Sequence, residues 1–227
     1  METINDNEIV EPLDETHSII QPKRGYRFGA DAVALAEFAS EHVRKNAVVF
    51  DLCSGCGIVG ILIALGKEKI KLLGAEIDET LCDMSRRSAK MNGLTDFEFY
   101  NVDIRDKTAE FSNTHKNRVD AVVCNPPYFK PDSRPRSSVP SASCELTVGL
   151  DDIVDCARGL LRSGGAFMLV YTCSRLDEAI CACAAHGLTP KQLTVNTNGK
   201  TFLLRAVKGG KQGFTVGTRK FWGRTDD

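Results

Sequence analysis

Short apolar runs alternate with amphipathic segments through the middle of the chain, and this alternation constrains the fold more than any other feature. Strands are predicted at 47–52, 70–77, 97–100, 119–124 and 166–171, and helices at 58–65, 79–91, 151–161 and 175–185. Two final strands, 192–196 and 201–207, are expected to pair antiparallel. Strand–helix alternation predicts a mostly parallel sheet with helices on both faces. The predicted fold class is therefore α/β, with a seven-stranded sheet that ends in an antiparallel strand pair.

Composition and charge limit the domain organisation. The 227 residues are 42% apolar and 26% charged, as expected of one folded domain of this length. The first 20 residues carry acids and no Lys or Arg, so we expect an acidic tail at 1–20 and a single domain at 21–227. This start does not resemble a secretory signal, and no apolar run reaches the roughly 18 residues of a membrane span. The nine cysteines are accordingly expected to be reduced thiols in the cytoplasm.

A glycine-rich turn follows the first predicted strand of the alternating region. It runs Asp51-Leu-Cys-Ser-Gly55-Cys-Gly57-Ile-Val-Gly60 and satisfies the dinucleotide pattern GxGxxG, with Glu76 near the spacing of a ribose-binding acid. Ligands of parallel sheets bind at the carboxyl ends of strands, where this turn is expected. An NAD-dependent oxidoreductase is therefore one hypothesis. Asp51 favours a different ligand, because a carboxylate repels a pyrophosphate and suits an amino group or a sulfonium.

Asn125-Pro126-Pro127-Tyr128 comes directly after the fourth predicted strand. Two successive prolines stiffen the backbone and remove two N–H donors, which leaves the backbone carbonyls and the Asn125 amide oxygen as acceptors. Such acceptors can hold both hydrogens of a planar amino group and localise the nitrogen lone pair, so that the nitrogen becomes nucleophilic. Tyr128 offers a face for base stacking, worth about 1–3 kcal/mol. The tetrapeptide therefore predicts a site that presents an amine nitrogen to an electrophile.

With these motifs the chain resembles the NPPY group of class I, Rossmann-like S-adenosyl-L-methionine methyltransferases. Within that group, segments 21–31 and 207–211 are similar to the opening and to the closing strand of the bacterial tRNA(Val) adenine-N6 methyltransferases, which modify the adenine at position 37. The resemblance implies S-adenosylmethionine as the cofactor and the N6 amine of a tRNA adenine as the acceptor. Two other acceptors of NPPY enzymes remain open, a guanine N2 in ribosomal RNA and a glutamine N5 in a protein.

The resemblance also implies which residues hold the cofactor. Asp51, Gly55 and Gly57 would line its methionine part. Glu76 would accept hydrogen bonds from both ribose hydroxyls. Asp103 would accept one from the adenine amino group, although Asp103 could equally be a turn residue.

The resemblance also implies roles for residues outside the glycine-rich turn. Phe28 and Asp31 would close over the cofactor, and the segment from Asn125 to Tyr128 would hold the target base, with Asn125 also touching the cofactor. Cys53 and Cys56 stand where the family more often has Gly and Thr. A structural metal needs about four ligands, and no second cysteine pair has a suitable spacing, so we expect no metal.

Basic residues cluster near both ends of the predicted domain and in the loop after the NPPY segment. Segment 200–224 carries Lys and Arg but no acid, and aromatic residues are interleaved with them. This pattern is typical of RNA contacts, although a charged segment is more often a solvated face. We expect tRNA to bind a basic rim through salt-dependent phosphate contacts. The rim residues are Lys23, Arg24, Arg27, Lys130, Arg134, Arg136, Lys208, Lys211, Arg219 and Lys220.

Overall fold

The computed structural model describes residues 2–25, 27–126 and 148–221. Five residues with predicted roles lie outside these ranges: Pro127, Tyr128, Lys130, Arg134 and Arg136. The described strands are β1 (Glu8–Pro12), β2 (Ser18–Pro22), β3 (Val48–Leu52), β4 (Lys71–Glu76), β5 (Phe97–Asn101), β6 (Val119–Cys124), β7 (Leu161–Thr172), β8 (Leu188–Asn196), β9 (Thr201–Lys208) and β10 (Thr215–Arg219). The described helices are α1 (Ala30–His42), α2 (Ile58–Gly66), α3 (Glu79–Met91), α4 (Glu110–Thr114), α5 (Leu150–Leu160) and α6 (Leu176–Ala185), and none of them is long and apolar enough to cross a bilayer.

Eight strands form the central sheet, in the order β10-β8-β9-β7-β6-β3-β4-β5. Neighbouring strands are parallel except at β9, which pairs antiparallel with both β7 and β8. The predicted α/β class, the mostly parallel sheet and the antiparallel pair near its end are confirmed. The structure adds β10 as an eighth strand at the edge, where most of its side chains are exposed.

Alternate residues of the central strands enter two separate cores. In β3, Val49 packs into the core on one face of the sheet and Phe50 into the core on the other, and Leu72 and Leu73 of β4 divide in the same way. Residues of α1, α2 and α3 complete the first core, and residues of α4, α5 and α6 complete the second. Since successive side chains of a strand point to opposite faces, the continuous apolar runs of the sequence are strands buried on both sides.

The segment expected to be an acidic tail contains an antiparallel hairpin, formed by β1 and β2. β2 lies against α3, where the amide of Ile20 donates to the Ser88 hydroxyl at 2.9 Å and Ile20 is fully buried. On β1, Glu8 forms a doubly hydrogen-bonded ion pair with Arg87 of α3, at 2.8 and 2.6 Å. Apolar burial and one paired acid therefore fold residues 8–22 onto the domain, although the segment is acidic overall.

The strands of the parallel region all begin on one side of the sheet and end on the opposite side, and the two sides carry different residues. Strands β3, β4, β5 and β6 are parallel and end at one edge, which we call the carboxyl edge. The glycine-rich turn, Glu76, Asp103 and Asn125 follow or end these strands there. The amino edge lies opposite, where β3 begins at Val48 and β6 begins at Val119.

Candidate active site

Three strands bring their ends to the same level of the carboxyl edge. β3 lies between β6 and β4, and its last residue is in register with Cys124 of β6 and with Ala75 of β4. The next residue along each strand is Cys53, Asn125 or Glu76. Because adjacent strands lie about 4.8 Å apart, Asn125 and Glu76 are separated by two strand spacings, about 10 Å. The register therefore places the glycine-rich turn between the acid after β4 and the NPPY segment after β6.

The glycine-rich turn, residues 53–60, depends on glycines whose side-chain positions are already filled. Gly57 has a φ of 83°, and a Cβ there would lie 3.1 Å from the Cβ of Ser85 and 3.2 Å from the ring of Phe99. A Cβ on Gly60 would lie 2.5 Å from Cδ1 of Leu72. Glycine tolerates a positive φ that other residues rarely adopt, and it also lets α2 pack tightly against β4. The pattern thus has a structural cause at these two positions, whichever ligand the turn holds.

Glu76 holds the turn from the neighbouring strand. One carboxylate oxygen accepts a hydrogen bond from the Gly55 amide at 2.8 Å, and the other accepts one from the Asp78 amide at 3.0 Å. Glu76 is only 8% exposed, and burial is the largest cause that raises its pKa. A carboxylate oxygen has a second lone pair, so both oxygens retain acceptor capacity. The ribose contact expected of Glu76 remains a prediction.

Asp51 lies beneath the glycine-rich turn. It is 1% exposed, and its carboxylate accepts a hydrogen bond of 2.9 Å from the amide of Gly60, in the first turn of α2. Burial raises the pKa of Asp51 to about 8, and the negative charge of Glu76 adds to this effect. A dinucleotide fold uses amides at such a helix start to bind pyrophosphate, and here one of them is occupied by a carboxylate. This contact disfavours the dinucleotide hypothesis and gives Asp51 a role in shaping the turn.

Ser54 is a buried polar residue of the turn to which the sequence motif assigns no role. It is 6% exposed, and its hydroxyl oxygen has no hydrogen-bond partner among the described residues. Buried polar atoms of native proteins are rarely unsatisfied. A Cβ built on the adjacent Gly55 meets nothing within 4 Å, so the turn has open space at Gly55. The turn therefore offers a ligand open space at Gly55 and, at the preceding residue, a buried hydroxyl without a described partner.

Phe28 and Asp31 lie at the start of α1. The Phe28 amide donates to the side-chain oxygen of Gln21 at 3.0 Å, and the Thr201 hydroxyl donates to Asp31 at 3.0 Å. Thr201 begins β9 and is paired with Thr172 at the end of β7, so it belongs to the carboxyl edge. α1 therefore begins at the predicted edge, and the cofactor contacts of Phe28 and Asp31 remain predictions.

Asp103 follows β5 and is engaged by its own turn. Its carboxylate accepts hydrogen bonds from the Arg105 amide at 2.9 Å and from the Arg105 guanidinium at 2.5 Å. The guanidinium is the main cause that holds the pKa of Asp103 below its usual value. These contacts favour the turn role that the sequence left open, while its predicted bond to an adenine amino group would have to share this carboxylate.

Asn125 and Pro126 are the described part of the NPPY segment. They follow Cys124, the buried last residue of β6, and Pro126 is itself buried, whereas Asn125 is half-buried. The backbone thus leaves the sheet through a rigid residue packed into the protein. The catalytic roles predicted for Asn125, Pro126, Pro127 and Tyr128 remain predictions.

The described residues of the basic rim lie in different surroundings. Lys23 donates to the Asp6 carbonyl at 2.7 Å, Arg27 pairs with Glu11 at 2.5 Å, and Arg219 pairs with Glu41. Arg24 is exposed. Within the described chain, Lys208 is held at 2.7 Å by three oxygens, those of Asn117, Arg158 and Leu161.

Lys208 does not belong to a rim around Asn125. It ends β9, and because β9 is antiparallel to β7 its end lies beside the start of β7, at the amino edge. Lys211 follows it, and its carbonyl accepts a hydrogen bond from Lys191 at 2.9 Å. The strand direction of β9, which the sequence had indicated, therefore separates the closing basic segment from the carboxyl edge.

Cys53 and Cys56 do not form part of a metal centre in the described ranges. No group of three or more His, Cys, Asp or Glu residues that could hold a metal ion occurs there. Cys56 is buried, and burial raises its pKa to about 12, so it stays a protonated thiol. Cys53 has a positive φ of 56°, a conformation that suits the glycine more often found there.

Comparisons with known proteins agree on the kind of domain. Residues 30–179 match the family model described as the methyltransferase small domain. A tRNA1(Val) (adenine(37)-N6)-methyltransferase from Porphyromonas gingivalis is 27% identical over 172 residues, which are 74% of this chain and 67% of that protein.

Solved structures share the fold. A predicted O-methyltransferase from Agrobacterium tumefaciens has a TM-score of 0.61 at 20% identity and covers 86% of this chain and 87% of its own. Geranyl diphosphate C-methyltransferase from Streptomyces coelicolor, in complex with Mg²⁺, geranyl diphosphate and S-adenosyl-L-homocysteine, has a TM-score of 0.59 at 16% identity, covering 78% and 77%. At these identities the likeness is one of fold, the class I methyltransferase sheet with its antiparallel strand.

Proposed function

Because the chain belongs to the methyltransferase small domain family, we propose that it transfers a methyl group from S-adenosylmethionine to the N6 amine of an adenine in tRNA. The relative from Porphyromonas gingivalis is named for this reaction at adenine 37 of tRNA1(Val). We assign the same acceptor to this chain. The groups at the carboxyl edge support methyl transfer as the reaction. The named relative and the NPPY segment support adenine as the acceptor.

One observation carries the proposal: the turn that contains Gly55 and the unpaired buried hydroxyl of Ser54 follows β3, which pairs with β6, the strand that Asn125 directly follows. The cofactor supplies an electrophilic methyl group on a sulfonium. On the protein side, Ser54 offers a hydroxyl, and Glu76 offers the remaining lone pairs of a carboxylate fixed by two amides. These groups suit the polar parts of a nucleoside with an amino-acid tail.

The NPPY segment is assigned to the acceptor amine. The oxygens of Asn125 and Pro126 accept the two amine hydrogens and draw the nitrogen toward tetrahedral geometry. They interact more strongly with the amine as it gains positive charge, so their effect is greatest in the transition state. Holding the two reactants in line contributes most of the remaining acceleration. No general base is required in this scheme, since the proton can leave after transfer.

RNA contacts are assigned to the exposed cations near the carboxyl edge. Arg24 and Arg27 follow the N-terminal hairpin, and both are exposed. The Arg27–Glu11 pair is partly exposed, and exposed pairs contribute only about 0–1 kcal/mol, so a phosphate can replace the acid at little cost. Binding through such residues would weaken as salt concentration rises.

Transfer to RNA tests the proposal directly. The full chain is incubated with S-adenosylmethionine labelled on its methyl group and with a cell extract from a strain that lacks this gene. The tRNA, ribosomal RNA and protein are then separated, and each RNA is digested to nucleosides. We expect label in N6-methyladenosine. Label in N2-methylguanosine would identify a guanine as the acceptor. Label in protein in place of RNA would identify a glutamine side chain as the acceptor. A chain that neither binds S-adenosylmethionine nor transfers its methyl group would overturn the proposal.

A further inference from the structure

A cavity of about 330 Å³ lies at the amino edge of the sheet, away from the candidate active site. Its walls come from the end of α1 and from the first residues of β6 and β7, with Ala47 just before β3. Arg205 reaches it from β9, whose last residues lie beside the start of β7. The proposed methyl transfer uses no group in this cavity, which therefore requires its own explanation.

The cavity is rich in positive charge. Three arginines line it, Arg44, Arg162 and Arg205, together with a single acid, Asp120. That acid is already engaged, because its carboxylate accepts hydrogen bonds from Arg162 at 2.6 Å and from the Val48 amide at 2.8 Å. Arg44 and Arg205 are thus left without an acid among the described lining residues.

Two residues of the cavity wall each have a buried nitrogen atom without a partner among the described residues. Nε of Arg205 and Nε2 of His42 are shielded from solvent and form no hydrogen bond with the described residues. Burial lowers the pKa of Arg205, and no nearby carboxylate offsets that effect. Glu41, the acid next to His42, pairs with Arg219. Arg44 and Arg205 bring two positive charges to one cavity, and no carboxylate among the described lining residues offsets them, so the cavity favours an anion.

We propose that this cavity binds a phosphate-bearing anion, held by the guanidinium groups of Arg44 and Arg205. A guanidinium presents its N–H groups in a planar fork that matches two oxygens of a phosphate. The phosphate could come from a free phosphorylated solute or from an RNA backbone. An RNA that also reached Asn125 would have to pass along the whole of β6, about 20 Å. The proposal is independent of the function proposed for the carboxyl edge.

Pyrophosphate is the probe for this site, because it is a compact anion with two phosphate groups. Its binding to the full chain is measured by isothermal titration calorimetry at low ionic strength, for the native sequence and for Arg44→Gln and Arg205→Gln. The matched control is Lys45→Gln, which removes an exposed cation next to Arg44 that does not line the cavity. We expect saturable binding that both arginine variants weaken at least about tenfold and that the lysine variant leaves unchanged.

Two further comparisons complete the test. Arg44 is exposed, so Arg44→Gln retains the test if Arg205→Gln does not fold. A short single-stranded RNA added as competitor separates the sources: displacement of pyrophosphate assigns the site to an RNA backbone, and retention assigns it to a free solute. The proposal is overturned if the native chain shows no saturable binding, or if Lys45→Gln loses as much affinity as Arg44→Gln.

Discussion

Glu76 accepts a hydrogen bond of 2.8 Å from the Gly55 amide, so the acid that ends β4 fixes the turn that follows β3. The hydroxyl of Ser85, on α3, donates to the Gly55 carbonyl at 2.8 Å and fixes the same residue from the other side. Gly55, which has open space at its side-chain position, is therefore held through both its amide and its carbonyl. A cofactor that binds there meets backbone groups whose positions are set before it arrives.

Replacing Glu76 by glutamine should weaken S-adenosylmethionine binding at least tenfold, about 1.4 kcal/mol. Both carboxylate oxygens accept from backbone amides, so the NH₂ group of a glutamine would face one of those N–H groups. Calorimetric titration of the cofactor measures the effect. Glu79→Gln is the control, because Glu79 is an exposed acid in the first turn of α3. Unchanged affinity in Glu76→Gln would show that the ribose is held by other residues.

Ser54→Ala should weaken cofactor binding without lowering the melting temperature. The hydroxyl has no described partner in the protein, so its removal leaves nothing unsatisfied, while a lost neutral hydrogen bond to the cofactor costs about 0.5–1.5 kcal/mol. Ser85→Ala is the matched comparison and should lower the melting temperature, because that hydroxyl donates to Gly55 and Leu81. If Ser54→Ala melts earlier and binds normally, the hydroxyl belongs to the protein's own packing.

Asn125→Ala should abolish methyl transfer while cofactor affinity stays within about tenfold. The amide is assigned to the acceptor amine, and loss of one oriented polar group in a transition-state site typically costs about 100-fold or more in rate. Single-turnover transfer and cofactor titration are measured on the same preparation. Asn101→Ala serves as the comparison, because the Asn101 amide donates to the Glu76 and Ile77 carbonyls at the same edge. Near-normal transfer by Asn125→Ala would refute the assignment.

The Glu8–Arg87 pair should make stability depend on acid pH. Hydrogen bonds from Arg87 are the largest cause that lowers the pKa of Glu8 to about 2, from an ordinary value of 4.5. The stabilisation is therefore complete above pH 4.5 and is lost as the pH falls from there through 2. Glu8→Gln should lower the free energy of unfolding at pH 7 by about 1.5–3 kcal/mol.

Urea unfolding at several pH values tests this expectation. The difference between Glu8→Gln and the native sequence should shrink steadily between pH 4.5 and 2, whereas Glu15→Gln, at an exposed acid of the same hairpin, should differ little at any pH. A difference that does not change with pH would assign the effect to packing and not to charge.

The sequence predicts the inner strands and α3 well because their limits have local physical causes. α3 spans Glu79–Met91 as expected: Asp78 caps its first turn by accepting from the Thr80 and Leu81 amides, and Gly93 follows with a positive φ of 73°. β10 was not predicted, because an exposed edge strand carries no apolar run. The hairpin was missed for a similar reason, since its folding depends on contacts with α3 that are distant in sequence.

The sequence likewise predicts some features of the candidate site and not others. Spacing identifies Gly57, Glu76 and Asn125, because each follows or ends a strand and the parallel register brings those ends together. It does not reveal that Asp51 is buried under the turn, or that the Ser54 hydroxyl lacks a partner. Burial and hydrogen-bond satisfaction depend on the packed neighbours of a residue, which a motif does not specify.

The ion pairs of the N-terminal hairpin reduce the negative charge that a polyanion meets at this end of the chain. Glu8 is matched by Arg87 and Glu11 by Arg27, so two carboxylates of the acidic start serve as counter-charges inside the fold. The electrostatic repulsion expected from an acidic tail is reduced accordingly. A nucleic acid would therefore meet a surface closer to neutral than the acidic sequence of this segment suggests. If one of its phosphates replaced Glu11 as the partner of Arg27, the arginine would bind the nucleic acid directly.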